Sequence, residues 1–290
     1  MTARPERVPA EEVRQRMLDA GRGLALEAGA ALTIEHLRLE EVIQRARVPR
    51  SSVYRLWAYR EEYIDDLLCY LAGEGSWFSG RPVLAPETSS VLRRVLAENK
   101  QLLATMEGRR ALMLEIVRLT TVRNYDALTE STTWRLHMAL VATLGSTRSG
   151  EARKRIAAAL EDAQKQSRES MVALLSYLMG ALGLRLRDPA YTLDHVQLAG
   201  GLLVQSLALR NVQVQAALGE GGAGDGQAAP DAPQEAKEVR ALLNFPVPGP
   251  SLGGEPAEWT LAARAYLGVL DTFVELDPDF TPPADGAAAG

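Results

Sequence analysis

Five arginines fall between Val42 and Arg60, namely Arg45, Arg47, Arg50, Arg55 and Arg60, and no acidic residue interrupts them. Among them stand three hydroxyl side chains, Ser51, Ser52 and Tyr54. These residue types suit nucleic acid. An arginine fork bonds guanine O6 and N7 together, while serine and tyrosine hydroxyls reach phosphate oxygens. The same residues also suit a merely solvated helical face, so their placement on the fold decides between the two.

Other chemistries find little support. Gly219-Glu220-Gly221-Gly222-Ala223-Gly224 matches a dinucleotide-binding string, but it lies in low-complexity sequence with no strand expected before it or helix after it. No phosphate loop of the Gly-Lys-Ser/Thr kind and no nucleophile elbow is present. The three histidines, His36, His137 and His195, are too far apart in sequence to share a helical ligand spacing. Cys69 is the sole cysteine and sits in an apolar run, so it reads as a small hydrophobe. The expectation is a protein that is not an enzyme, with no cofactor, no catalytic residue and no metal site.

The basic cluster lies where two short helices are expected, Leu37–Ala46 and Arg50–Trp57, separated by Arg47-Val48-Pro49. This is helix-turn-helix spacing, in which the second helix can enter a major groove. Proline beside the start of the second helix costs nothing, because the first N–H groups of a helix are unbonded anyway. Val53, Leu56 and Trp57 recur at i, i+3 and i+4 and should pack inward. Arg50, Ser51, Tyr54 and Arg55 then face outward, and Arg60 opens the next helix.

Around this unit the chain reads as all-α. Val13, Met17, Ala20, Leu24 and Ala28 form one helical stripe that Gly29 would close. A helix from Tyr59 to Ala72 follows, then a boundary over Gly73–Pro86. Further helices are expected over Thr88–Glu107, Arg109–Arg123, Ser131–Leu144, Glu151–Arg187, Tyr191–Leu218 and Glu258–Leu276, with no strand. This gives a domain over residues 10–72 and a larger helical domain over 87–276. Residues 219–234 read as a flexible insertion and 277–290 as a disordered tail.

The 290 residues carry 32 basic and 37 acidic side chains, a net charge of −5, so the chain as a whole is no electrostatic nucleic-acid sponge. The longest apolar run, Ser170–Leu184, falls short of the roughly 20 residues that span a bilayer. The start, Met1-Thr2-Ala3-Arg4-Pro5-Glu6-Arg7, leads into charge rather than an apolar core, so no secretory leader, no membrane partner and a cytoplasmic location are expected.

Glu41–Trp57 followed by Arg60-Glu61 resembles the DNA-binding domain of the TetR family of transcriptional regulators. Val48, Val53, Tyr54, Trp57, Arg60 and Glu61 fall in register with the family pattern, and Leu26-Glu27-Ala28-Gly29 looks like the end of its first helix. The resemblance covers about residues 10–72. It departs from the pattern at Arg38, where a capping serine or threonine is usual, and at Ile43, where a small residue is. Arg47 replaces the turn glycine, and Pro49 a serine.

The resemblance implies a homodimeric repressor of double-stranded DNA with a helical domain for dimerisation and for a small-molecule effector. Tyr191–Leu218 and Glu258–Leu276 would form the intersubunit bundle. By the same analogy Arg50 and Ser51 approach bases, while Ser52, Tyr54 and Arg60 approach phosphates. Met106, Met113, Trp134, His137 and Tyr177 would suit an effector pocket, but methionines and aromatics at helical spacing are more often core, so no ligand site is assigned. A helical dimeric sensor or protein-interaction module that has lost DNA binding is the alternative.

Overall fold

The computed structural model describes residues 9–27, 37–74, 86–144, 150–219, 233–252 and 255–282. His36, Gly29, most of the expected 73–86 boundary and most of the glycine-rich 219–234 segment lie outside the described residues. The chain is mostly helical. No described helix is long and apolar enough to cross a membrane.

Packing groups the described residues of Met1–Arg81 with Ser131–Ser167, and those of Pro82–Glu130 with Arg168–Gly290. The first unit opens with α1 (Ala10–Glu27), whose Val13, Met17 and Ala20 are buried on one stripe, while Glu11 and Glu12 in its first turn complement the helix dipole. Then come α2 (Leu39–Ala46), α3 (Arg50–Leu56) and α4 (Arg60–Ala72). Further along the chain, α7 (Thr132–Thr143) and the Gly150–Ser167 part of α8 (Gly150–Leu182) join this unit.

Residues 131–167, expected within the 87–276 domain, thus belong to the first unit. Leu136, Leu140, Ile156 and Leu160 are in fact buried in one core with Val13, Met17, Val53, Trp57 and Leu67. A domain of about 60 residues buries a smaller fraction of its surface than a larger one and is marginal alone, so this extra cover has a physical use.

Close approach of α1 and α4 depends on a glycine. A Cβ added at Gly21 would sit 2.2 Å from the Tyr63 hydroxyl and 2.9 Å from Leu67. That hydroxyl donates to the Met17 carbonyl at 3.0 Å, and burial raises its pKa, so it stays a donor.

The second unit contains α5 (Pro86–Glu98), a short 3-10 turn (Lys100–Ala104), α6 (Met106–Glu130) and the remainder of α8. It continues through α9 (Leu193–Ala217), α10 (Gln234–Leu243) and α11 (Leu261–Phe273). Its core gathers Leu112, Met113, Ile116, Val196, Trp259 and Ala263.

Several expectations are corrected here. Among the described residues there are four short strands: β1 (Leu184–Leu186), β2 (Val247–Gly249), β3 (Ala257–Trp259) and β4 (Val274–Leu276). β1 pairs antiparallel with β4, Leu184 opposite Leu276, and β2 with β3, Val247 opposite Trp259. Three-residue strands are too short to show an alternating pattern.

The long helix ends at Leu182 rather than Arg187, because Gly183 adopts φ 59° and turns the chain into β1. The last helix is correspondingly trimmed by β3 and β4. The expected tail is ordered over its first residues. Asp277 donates its N–H to Gly183 and accepts from the buried Arg109, and Phe280 stacks on that guanidinium at 4.8 Å. Arg109 also donates to the carbonyls of Leu182 and Gly183, so a buried cation holds the α8 terminus and the start of the tail together.

Candidate nucleic-acid interface

α2 carries its apolar face on Leu39, Val42, Ile43 and Ala46, all buried. It stops at Arg47, which adopts φ 53° and ψ 45°, the one positive-φ residue other than glycine among those described. The left-handed turn that the usual glycine would make is therefore made by arginine, at a cost of about 1–2 kcal/mol. Val48 is buried, and Pro49 sits at φ −66°, its carbonyl accepting from the N–H groups of Ser52 and Val53. Proline's fixed φ thus starts α3 directly after the turn.

The inward face of α3 is Val53 and the following Trp57, at 0% and 3% exposure, with Leu56 half-buried. Trp57 meets the Tyr63 ring edge-on at 5.2 Å. The opposite face presents Arg50, Ser51, Tyr54 and Arg55 to solvent, with Ser52 half-buried at its margin.

The predicted residues divide by what they already hold. The Arg50 side chain makes no ion pair or hydrogen bond among the described residues, and neither do the side chains of Arg38 and Arg47. Arg55 folds onto its own helix, donating to the Ser51 carbonyl and the Ser52 hydroxyl, each at 3.1 Å. The Tyr54 hydroxyl lies 3.5 Å from Glu40. Arg60, half-buried, donates to the Leu37 carbonyl through Nε at 3.3 Å and Nη2 at 3.0 Å, tying the start of α4 to the segment before α2.

Arg45 is turned away, gripping Glu27 with both nitrogens. The hydrogen bonds from Arg45 lower the Glu27 pKa, and Glu27 in turn raises that of Arg45.

Asp66 fixes the end of the outward helix, and nothing in the local sequence marks it. Its carboxylate accepts from Trp57 Nε1 at 3.0 Å and from Arg155 at 2.6 Å, with Arg14 at 3.6 Å. Burial alone would raise its pKa, but the hydrogen bonds from Arg155 and Trp57 outweigh burial and hold it below the usual carboxylate range. At the start of α4, Glu62 accepts from the N–H groups of Ala58 and Tyr59. Glu40 was also missed. It places an acid on the outward side beside Tyr54, and only the packing of α2 against α3 reveals that.

Of the five residues weighed for an effector pocket, two fall in the first unit and three in the second. Trp134 and His137 belong to the first unit and are buried, with His137 pushed down to about 4 by burial. Met106 and Tyr177 are exposed and Met113 is buried in the second unit. His195 caps its own helix, Nδ1 accepting from the Thr192 N–H at 3.0 Å. Cys69 is half-buried against the first core, and burial raises its thiol pKa. The chain matches no known family model, no curated protein and no solved structure.

Proposed function

We propose that the chain is a DNA-binding transcriptional regulator, a ligand-responsive homodimeric repressor of the TetR kind that reads a near-palindromic operator. One observation carries the reading. α2 and α3 meet across a three-residue turn, Val53 and Trp57 point into the core, and Arg50, Ser51 and Tyr54 occupy the opposite, solvent-facing side. In that arrangement α3 is the recognition helix, Arg50 and Ser51 contact base edges, and Ser52 and Tyr54 contact phosphates. Arg60 acts as a brace, since its guanidinium is engaged at Leu37.

Dimerisation is supported by α9, where Leu198, Leu202 and Leu209 stand exposed at spacings of four and seven on one face. A two-fold dimer sets its recognition helices about 34 Å apart, one turn of duplex. An effector that favours a different spacing releases the operator by shifting the population.

Selection of bound duplexes from a random pool, at near-physiological salt, tests the reading. Enrichment of a two-fold symmetric site is the expected result. Lack of any enrichment by a folded dimer rejects it in favour of the second reading, a helical dimeric sensor or protein-interaction module without DNA binding. That alternative draws on the internal engagement of Arg45, Arg55 and Arg60 and on Glu40 beside Tyr54.

A further inference from the structure

Two adjoining cavities, of about 100 and about 40 Å³, lie among α6, the second-unit part of α8, α9 and α11, and share Ile116, Val117, Leu175, Leu178 and Leu270 in their walls. The larger has room for several water-sized bodies. The smaller is lined by apolar side chains alone, and no charged side chain lines either. Five hydrogen-bonding side chains border the larger cavity: Thr120, whose hydroxyl donates to the Ile116 carbonyl at 2.7 Å, Thr121, Asn124, Gln197 and Tyr266. The side chains of Asn124, Gln197 and Tyr266 form no hydrogen bond among the described residues. Desolvation pushes the Tyr266 phenol up to about 12, so at neutral pH it is a donor.

The wall also contains consecutive glycines, Gly200 and Gly201, inside the 25-residue α9. Apart from proline, glycine is the costliest residue in a helix interior, so a pair there needs a reason. Gly200 has one in packing, since a Cβ there would sit 2.3 Å from the Tyr266 ring. Gly201 does not. An added Cβ would meet only the end of the flexible Gln197 side chain, at 3.3 Å. What its bare backbone preserves is space in the cavity wall.

We propose that the joined cavities are a binding site for a neutral, predominantly apolar small molecule with one hydrogen-bonding group, its apolar body between Leu175, Leu178 and Leu270 and its polar end toward Tyr266, Gln197 and Asn124. A carboxylate or ammonium finds no counter-charge there and would lose its hydration unrepaid. The assignment deepens the regulator reading and rests on it only for the consequence at DNA.

Binding of the neutral fluorophore 1-naphthol to the full chain, without DNA, tests it. Saturable binding is expected. 1-Octanol should displace the dye, and octanoate at neutral pH should be at least about tenfold weaker. Gly201→Leu, which fills the wall, should weaken dye binding by about tenfold or more. Gly201→Ala should do so less while leaving the melting temperature unreduced. Tyr266→Phe keeps the ring against Gly200 and should weaken 1-octanol by about three- to tenfold. Paired Leu198→Gln and Leu202→Gln changes control for dye on the exposed face of α9 and should leave binding intact.

Absence of saturable binding, or equal binding by Gly201→Leu, overturns the site. Equal competition by octanoate overturns the neutral class. If Gly201→Leu does not fold, unchanged 1-octanol affinity in Tyr266→Phe overturns the assignment. A failed DNA selection with dye binding intact rejects the regulator reading alone.

Discussion

Trp57 Nε1 donates to the Asp66 carboxylate at 3.0 Å, and the same carboxylate accepts from Arg155 at 2.6 Å. The residue that closes the outward helix is thereby held by α4 and by a side chain far along the sequence, on α8. The orientation of Arg50, Ser51 and Tyr54 depends on that anchorage as much as on the turn that precedes them.

Asp66→Asn should destabilise the chain by about 1 kcal/mol, since a charge-assisted partner of the half-buried carboxylate is lost. The pKa of Asp66 is lower folded than unfolded, so its contribution is present in full above the ordinary carboxylate range. It is lost as pH falls through the folded value. Urea unfolding at pH 7 and again near pH 3 should show the gap between the native chain and Asp66→Asn narrowing in acid.

Arg47→Gly should raise stability by about 1 kcal/mol, because glycine takes the left-handed turn without the Cβ clash. Arg47→Ala removes the same charge but keeps the Cβ, and should give no gain. Thermal melts of the two variants separate backbone strain from electrostatics.

Arg50 and Arg60 should behave oppositely. Arg50→Ala is expected to relax preference at one base of each half-site, at about 1–3 kcal/mol, with little change in folding stability. Arg60→Ala removes the bonds to Leu37 and should lower the melting temperature, weakening all duplexes alike. Binding to a matched set of single-base variants, alongside melting curves, reads both.

His137 supplies a second pH window. Burial lowers its pKa from 6.5 to about 4, so between these values the unfolded chain binds the extra proton. Stability should therefore fall as pH drops through this range, by up to about 1.4 kcal/mol per unit. His137→Leu should remove that slope between pH 7 and pH 5, whatever it does to stability at pH 7.

Leu202 is 55% exposed on α9. Leu202→Glu should weaken self-association by about 2–4 kcal/mol, because a two-fold interface places the change in both copies. Sedimentation velocity across a concentration series checks this, and a dimer that withstands the change means α9 is not the interface.

The sequence by itself determined the helical class, the turn at 47–49 and the inward and outward sides of the second helix. Each follows from spacing within a dozen residues: Val53 and Trp57 one turn apart, and proline where an N–H is spare. What each arginine does was decided by tertiary structure. Arg45 reaches Glu27 on α1, Arg60 reaches the Leu37 carbonyl, and Arg55 bends back to Ser51, so three of five charges are engaged within the fold. A guanidinium on a long stem takes whatever acceptor the fold brings near, and sequence spacing does not say which. For the same reason only packing revealed the four short strands, the ordered Asp277, the joining of 131–167 to the first core and the open wall at Gly201. Each depends on partners distant along the chain, which no local period encodes.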